Sequence, residues 1–333
     1  NLDIGMSENI GVLGVDRLGK YRFIHELGRG ATSRVMLAYD EFNSRQVALK
    51  LVESSMFADP EIGKIFRRMF VNEAALAGKL NHPNIAAIYD GVEGQDISYI
   101  VMEYVPGGTL EHLCKPGSLL PVNSALELAF QCSRALEFAN QLDITHRDIK
   151  PENILLGEGM HVKVTDFGAA LMRSNSGTQV KDIGSPAYMS PQQHKGQPVD
   201  HQGDIYSLGV VLYKLLTGRL PFQAETSEGL FHAICYTTPP PPSAYGREIP
   251  SAVEALVARA MARELEDRYQ SWDEFSIDLA NAQRGGEVSR GEFPSAEKLA
   301  TLRKLPVFRE FDDVELWETV RLDRKSTRLN SSH

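Results

Sequence analysis

His146-Arg147-Asp148-Ile149-Lys150-Pro151-Glu152-Asn153, followed thirteen residues later by Asp166-Phe167-Gly168, is the stretch on which the reading of this chain turns. An aspartate before Phe-Gly occurs by chance in many proteins and gains meaning only from the ordered pieces that precede it. Gly28-Arg29-Gly30-Ala31-Thr32-Ser33-Arg34-Val35 reads as strand, turn, strand, with glycines whose missing Cβ lets backbone N–H groups approach phosphate oxygens. A dinucleotide-binding turn is excluded, because these glycines open a second strand and not a helix. In Val47-Ala48-Leu49-Lys50-Leu51 the two-residue period puts Ala48 and Lys50 on one face and the larger apolar side chains on the other. A helix follows with Ile65, Met69, Leu76 and Leu80 as its stripe, and Glu73 falls inside that stripe. A lone inward lysine and a lone inward glutamate need each other, since buried opposite charges are costly apart.

Further along, Ile97 to Met102 reads as strand, and Val105-Pro106-Gly107-Gly108 breaks the chain, whose character changes there from β to α. Asn123 or Ser124 can cap a helix whose Ala125, Leu128, Ala129, Cys132, Ala135, Leu136 and Ala139 recur at helical spacing. Ile205 to Leu216 is apolar nearly all round, which predicts a helix buried in the middle of a lobe. Pro239 to Pro242 reads as a loop between helices. Taken in order, the glycine loop, Val-Ala-Leu-Lys, helix glutamate, His-Arg-Asp with its asparagine, and Asp-Phe-Gly resemble the protein kinase family from Tyr21 to about Asn281. The resemblance implies an α+β, two-lobed fold with a small β-rich N-lobe and a large α-helical C-lobe. Tyr188-Met189-Ser190-Pro191 is most like the bacterial members.

What the resemblance implies for single residues follows the physics of phosphoryl transfer, whose loose transition state needs positioning and charge neutralisation. Gly28, Gly30 and Ser33 would cover the ATP phosphates, Ser33 standing where the family often has a third glycine. Lys50 would hold the α- and β-phosphates and be positioned by Glu73. Val35 and Ala48 would enclose the adenine from one side and Leu155 from the other. Met102 resembles the gatekeeper, and the backbone of Glu103 and Val105 would meet the adenine edge. Asp148 would take or orient the substrate hydroxyl proton, with Lys150 against the γ-phosphate, the mark of members acting on serine and threonine. Asn153 and Asp166 would hold Mg²⁺, because hard cations prefer oxygen ligands around phosphate. Asp204 resembles the aspartate that anchors the catalytic loop backbone, and Gly184 to Pro191 the substrate-docking end of an activation segment running from Asp166 to Gln192. Protein serine/threonine kinase activity with MgATP is the expectation. The rivals are a scaffold that binds nucleotide without turnover, and small-molecule phosphotransfer, whose enzymes usually lack that segment.

Two departures add expectations. Gln192 replaces a usual glutamate that pairs with an arginine, here Arg268, so a charge-assisted pair becomes a weaker hydrogen bond. Arg147 beside Asp148 invites a phosphorylated loop residue, Thr178 first and Ser174 or Ser176 next.

Composition narrows the setting. With 333 residues, 42% hydrophobic and 24% charged, the chain is an ordinary globular one, and a formal charge of −9 advertises no nucleic-acid grip. No run approaches the roughly 20 apolar residues of a membrane span. Three cysteines without metal spacing predict neither disulfide framework nor zinc site, and with no signal peptide visible the expectation is a cytoplasmic protein. Residues 1–20 read as an N-terminal extension, 21–283 as the kinase domain and 284–296 as a linker. Leu302-Arg303-Lys304-Leu305-Pro306-Val307-Phe308-Arg309-Glu310-Phe311, within 297–322, resembles the opening helices of a cyclic-nucleotide-binding domain, whose partner would be a cyclic nucleotide. Residues 323–333 fit no domain; back-translated, they resemble a sequencing adapter.

Overall fold

The computed structural model describes residues 16–30, 33–53, 57, 63–172 and 185–284, together with residues 302, 308, 311 and 316. The chain divides into two compact units, one of residues 1–81 and 86–105, the other of residues 82–85 and 106–333. The division falls between Val105 and Pro106, at the break read from the sequence.

The first unit is an antiparallel sheet with one helix. Its strands are β1 (Arg17–Leu18), β2 (Tyr21–Arg29), β3 (Arg34–Asp40), β4 (Arg45–Glu53), β5 (Ile88–Val92) and β6 (Ile97–Glu103), in the order β1-β2-β3-β4-β6-β5. The sheet therefore begins at Arg17, inside the segment expected to be an extension. The two-residue rule holds in β4: Val47, Leu49 and Leu51 join Tyr21, Phe23, Met36, Ala38 and Val101 in one apolar cluster, leaving Ala48 and Lys50 for the other face. Helix α1 (Gly63–Ala74) is shorter than its predicted stripe. Leu76 and Leu80 are buried, but from turns past the helix end, where Gly78 takes φ +70°. Ile65 and Met69 are only half-buried, and Phe70 and Glu73 take the buried positions.

The second unit is mainly helical: α2 (Val122–Gln141), α3 (Pro191–His194), α4 (His201–Thr217), α5 (Ser227–Tyr236), α6 (Ser251–Ala260) and α7 (Trp272–Arg284). Short strands β7 (Ile144–Thr145), β8 (Ile154–Leu156), β9 (Val162–Val164) and β10 (Leu171–Met172) pair as β7 with β10 and β8 with β9. All seven stripe residues of α2 are buried, but the helix starts one residue before Asn123, with Pro121 at its N-cap and no side-chain cap. The Pro121 carbonyl accepts from Ala125 N at 3.1 Å, so neither Asn123 nor Ser124 is the cap. Helix α4 is buried along nearly its whole length. Its Lys214 donates to both Glu111 oxygens, at 2.9 and 2.7 Å, and to the Tyr188 hydroxyl at 3.1 Å. Gly209 lets α4 meet α6, since a Cβ there would lie 2.8 Å from the Ala260 Cβ. All three cysteines are buried and free, and no helix among the described residues is long and apolar enough to cross a membrane.

Packing of α2 on α7 brings three charged side chains together, two of them half-buried. Arg134 and Glu137, one turn apart on α2, form an ion pair, and Asp273 on α7 lies 3.6 Å from Arg134. Burial pushes the Glu137 carboxyl up to about 7 despite the guanidinium beside it. A folded pKa above the unfolded one means that Glu137 contributes stability fully below its ordinary value. That contribution is lost as pH rises through about 7. The melting midpoint should therefore fall between pH 5 and 8 by more in the wild type than in Glu137→Gln; equal slopes in a thermal scan would contradict the assignment.

Candidate active site

The sheet unit supplies a glycine turn and an ion pair. Between β2 and β3, Gly30 N donates to Ser33 O at 2.8 Å. A Cβ on Gly28 would meet nothing within 4 Å and one on Gly30 nothing nearer than 3.6 Å. Among the described residues no packing demands glycine at either place, and a missing Cβ leaves the backbone there easier to approach. Lys50 Nζ on β4 and Glu73 Oε2 on α1 lie 2.8 Å apart, the carboxylate almost fully buried. The lysine is thereby held at a fixed point of the sheet face. Met102 and Val105 are buried at the end of β6 and just past it. Glu103 N donates to Ala87 O at 2.8 Å, so of its two backbone groups the N–H is already committed.

The helical unit supplies the loop that carries His146, Arg147 and Asp148. Asp204, in the first turn of α4, is buried and accepts from His146 N at 2.7 Å and Arg147 N at 2.8 Å. Burial pushes its carboxyl up, opposed by His146 and these two amides. Arg147 is held at φ +70°, and its carbonyl accepts from Gln193 Nε2 at 3.3 Å. The His146 ring packs on Phe167 with centroids 4.5 Å apart, its Nε2 meets Thr165 O at 2.9 Å and its Nδ1 meets Asp148 N at 3.3 Å. A carbonyl on one side and an amide on the other assign the proton to Nε2.

Asp148 is surrounded by donors. Its Oδ1 accepts from Ser185 N at 3.0 Å, and its Oδ2 accepts from Asn153 Nδ2 at 3.1 Å and Lys150 Nζ at 2.9 Å. Lys150 Nζ also donates to Ser185 Oγ at 2.9 Å, and Asn153 Nδ2 to Asp148 O at 2.8 Å. Asp166 follows Thr165, whose N–H donates to Asn153 O at 2.9 Å, and takes the left-handed conformation at φ +65°. Leu155 lies half-buried on β8. A carboxylate fixed by an ammonium, an amide and a main-chain N–H, beside a serine hydroxyl already on the ammonium, is arranged to orient an incoming hydroxyl.

The protein kinase domain family matches residues 21–274, more than half of the chain. The chain belongs to the protein kinase family. Its two units are the β-rich and helical lobes of the kinase fold. Among relatives, this kinase is 39% identical over 278 residues to a protein of Streptomyces coelicolor named a probable serine/threonine-protein kinase, an alignment covering 81% of this chain and 41% of that one. It is 36% identical to serine/threonine-protein kinase PrkC of Bacillus subtilis over 88% of this chain and 45% of that one. With serine/threonine-protein kinase PknB of Mycobacterium tuberculosis it shares 38% identity over 85% of this chain and 45% of that one. The chain thus spans under half the length of these relatives.

Of the residues predicted for the kinase site, the structure joins Lys50 to Glu73 in one lobe and Asp148 to Lys150 and Asn153 in the other. Thr178, Ser174 and Ser176 lie outside the described residues. Sequence reasoning missed Gln193, although Ser190-Pro191-Gln192-Gln193 carries a capping-box pattern. Ser190 Oγ accepts from Gln193 N at 3.3 Å and Gln193 Oε1 from Ser190 N at 2.9 Å. It also missed the amide of Ser185, which leaves no side-chain signal to read.

The expected weak pair at Gln192 is present. Arg268 is fully buried and donates to Gln192 Oε1 at 3.0 Å and to the carbonyls of Ala262, Gln202 and Arg263. All are neutral acceptors, and burial pulls the guanidinium down to about 10. Gln192 Nε2 in turn donates to Arg263 O at 2.9 Å. Gln192→Glu would gain a charge-assisted bond while turning an oxygen toward that carbonyl. The ionic gain should prevail and raise the melting midpoint by about 2–4 °C, the equivalent of about 1 kcal/mol. A lower midpoint would mean that the amide's bond to Arg263 outweighs the charge.

Proposed function

We propose that this chain transfers the γ-phosphate of metal-bound ATP to serine and threonine hydroxyls of proteins, itself included. The observation that carries the reading is Asp148 held by Lys150, Asn153 and the Ser185 amide, with Lys150 already on a hydroxyl. Asp148 accepts or orients the proton of the attacking hydroxyl, and Lys150 balances charge where the phosphoryl group moves. Lys50, fixed by Glu73, holds the nucleotide phosphates under Gly28, Gly30 and Ser33. Val35, Ala48, Met102 and Leu155 take the adenine, with the Glu103 carbonyl and the Val105 backbone at its edge.

A divalent cation, Mg²⁺ by ligand chemistry, would be held by Asp166 and Asn153 and would neutralise phosphate charge. The fit is good at Asn153, because its Nδ2 is spent on Asp148 and the carbonyl oxygen is the end left for a cation.

The reading extends to the rest of the chain. Residues 21–283 form the kinase domain, and 284–296 link it to residues 297–322, the first helices of a cyclic-nucleotide-binding module. That last assignment rests on the resemblance of its sequence pattern, Leu302 to Phe311 followed by Glu315-Leu316. Residues 323–333 are foreign to it, which sequencing the source gene tests. The three buried, unpaired cysteines favour the cytoplasm.

Intact mass spectrometry after incubation with MgATP should show phosphate added, mapped to serine or threonine. Alanine at Ser174, Ser176 and Thr178 together should lower turnover about tenfold by removing the hydroxyls whose phosphorylation would place negative charge near Arg147. Absence of phosphate from both the chain and a generic protein substrate would refute the activity.

A further inference from the structure

The helical unit carries a recess lined by none of the residues assigned above to phosphate transfer. It lies among α4, α5, α6 and the Thr237–Pro242 run, with a volume of about 750 Å³. Its apolar lining includes Phe222, Ile234, Val257 and Met261, with the prolines as one wall.

The charges around it indicate what covers it. Arg263 lines the recess and donates through Nη2 to Thr237 O at 3.0 Å. The recess is ringed by three carboxylates, Glu254, Glu264 and Asp267, against the single Arg263 cation among its lining residues. Glu254 accepts from Ser243 N at 2.9 Å, which holds its carboxyl below the usual range and keeps it charged.

We propose that this recess docks a short extended segment of a partner protein in which lysine or arginine flanks apolar side chains. The apolar side chains fill the recess, and the basic residues face Glu264 and Asp267. An uncharged apolar metabolite would match the volume but not the carboxylates. The carbonyl of Arg263 accepts from Gln192 Nε2 and Arg268 Nη2, so a docked segment is tied to the end of the activation segment. The docking surface rests on the kinase reading only for its purpose, the recruitment of substrates, and its occupancy is measured without turnover.

The test is fluorescence anisotropy of the full chain with a labelled Arg-Leu-Pro-Leu-Arg peptide, which has no hydroxyl and is no phosphoacceptor. Micromolar binding that weakens with salt is expected, with counterparts carrying glutamate for arginine or glycine for leucine bound at least about tenfold more weakly. Ala258→Trp, filling the recess from an exposed position on α6, should abolish binding, and Glu264→Lys should weaken it about tenfold. Should Ala258→Trp fail to fold by its melting curve, Glu264→Lys at an exposed site decides alone. Equal binding of all three peptides, binding untouched by the variants, or no binding overturns the proposal. So does a dimer that Ala258→Trp converts to monomer in sedimentation, because the occupant would then be a second copy. Peptide binding without autophosphorylation would instead strike the kinase reading and leave the docking surface standing.

Discussion

Asp148→Asn should lower kcat by about 10²–10⁴-fold, the usual contribution of a positioned general base, while ATP affinity stays near wild type. The affinity follows from the division of labour proposed above, in which Lys50, paired with Glu73 in the other lobe, would hold the phosphates. The loss in turnover follows from the donors around the carboxylate. Ser185 N, Asn153 Nδ2 and Lys150 Nζ all point at it, so an amide NH₂ placed there faces a donor whichever way it turns. The variant loses the proton acceptor and also disturbs the bond from Ser185 N. A repelled buried donor costs about 1–3 kcal/mol, so the midpoint should fall as well. Asp148→Glu separates the two effects, because it keeps an acceptor but misplaces it. Measured kcat and nucleotide titrations decide the matter; turnover surviving Asp148→Asn would move the base elsewhere.

Much of this site was legible because its parts are local in sequence. In β4 the alternation of Ala48 and Lys50 with three large apolar residues could only place the lysine opposite the apolar cluster. The stripe of α2 and the Val105-Pro106 break were equally plain. What failed had weak or misleading signals. Leu76 and Leu80 continue a helical period, but Gly78 turns the chain, and turns bury leucines as well as helices do. Arg17–Leu18 is too short a strand to show alternation. The helix α2 has proline, without a side-chain acceptor, where a cap was sought. The donors around Asp148 include a main-chain amide from a residue 37 positions away, which side-chain chemistry cannot announce.

Asp204 should prove nearly as sensitive as Asp148, although it touches no reacting atom. Its two oxygens each take one main-chain N–H, from His146 and Arg147, and it lies buried in α4 where water cannot substitute. Asparagine keeps one acceptor and aims its NH₂ at the other amide, leaving a buried donor unsatisfied at about 1–3 kcal/mol. The loop has a reason to move once released: Arg147 is a non-glycine residue at φ +70°, a conformation that persists only while its surroundings impose it. Relaxation there shifts Asp148, one residue on, and displacement by about 1 Å of a positioning group can cost about 100-fold in rate. Asp204→Asn should therefore lower kcat about 100-fold with the ATP KM little changed. Hydrogen exchange at the amides of His146 and Arg147 should accelerate in the folded protein, a signature that simple loss of global stability would spread over all of α4. Slow exchange at those two amides together with wild-type turnover would show that the loop holds its shape through His146, Thr165 and Gln193 alone.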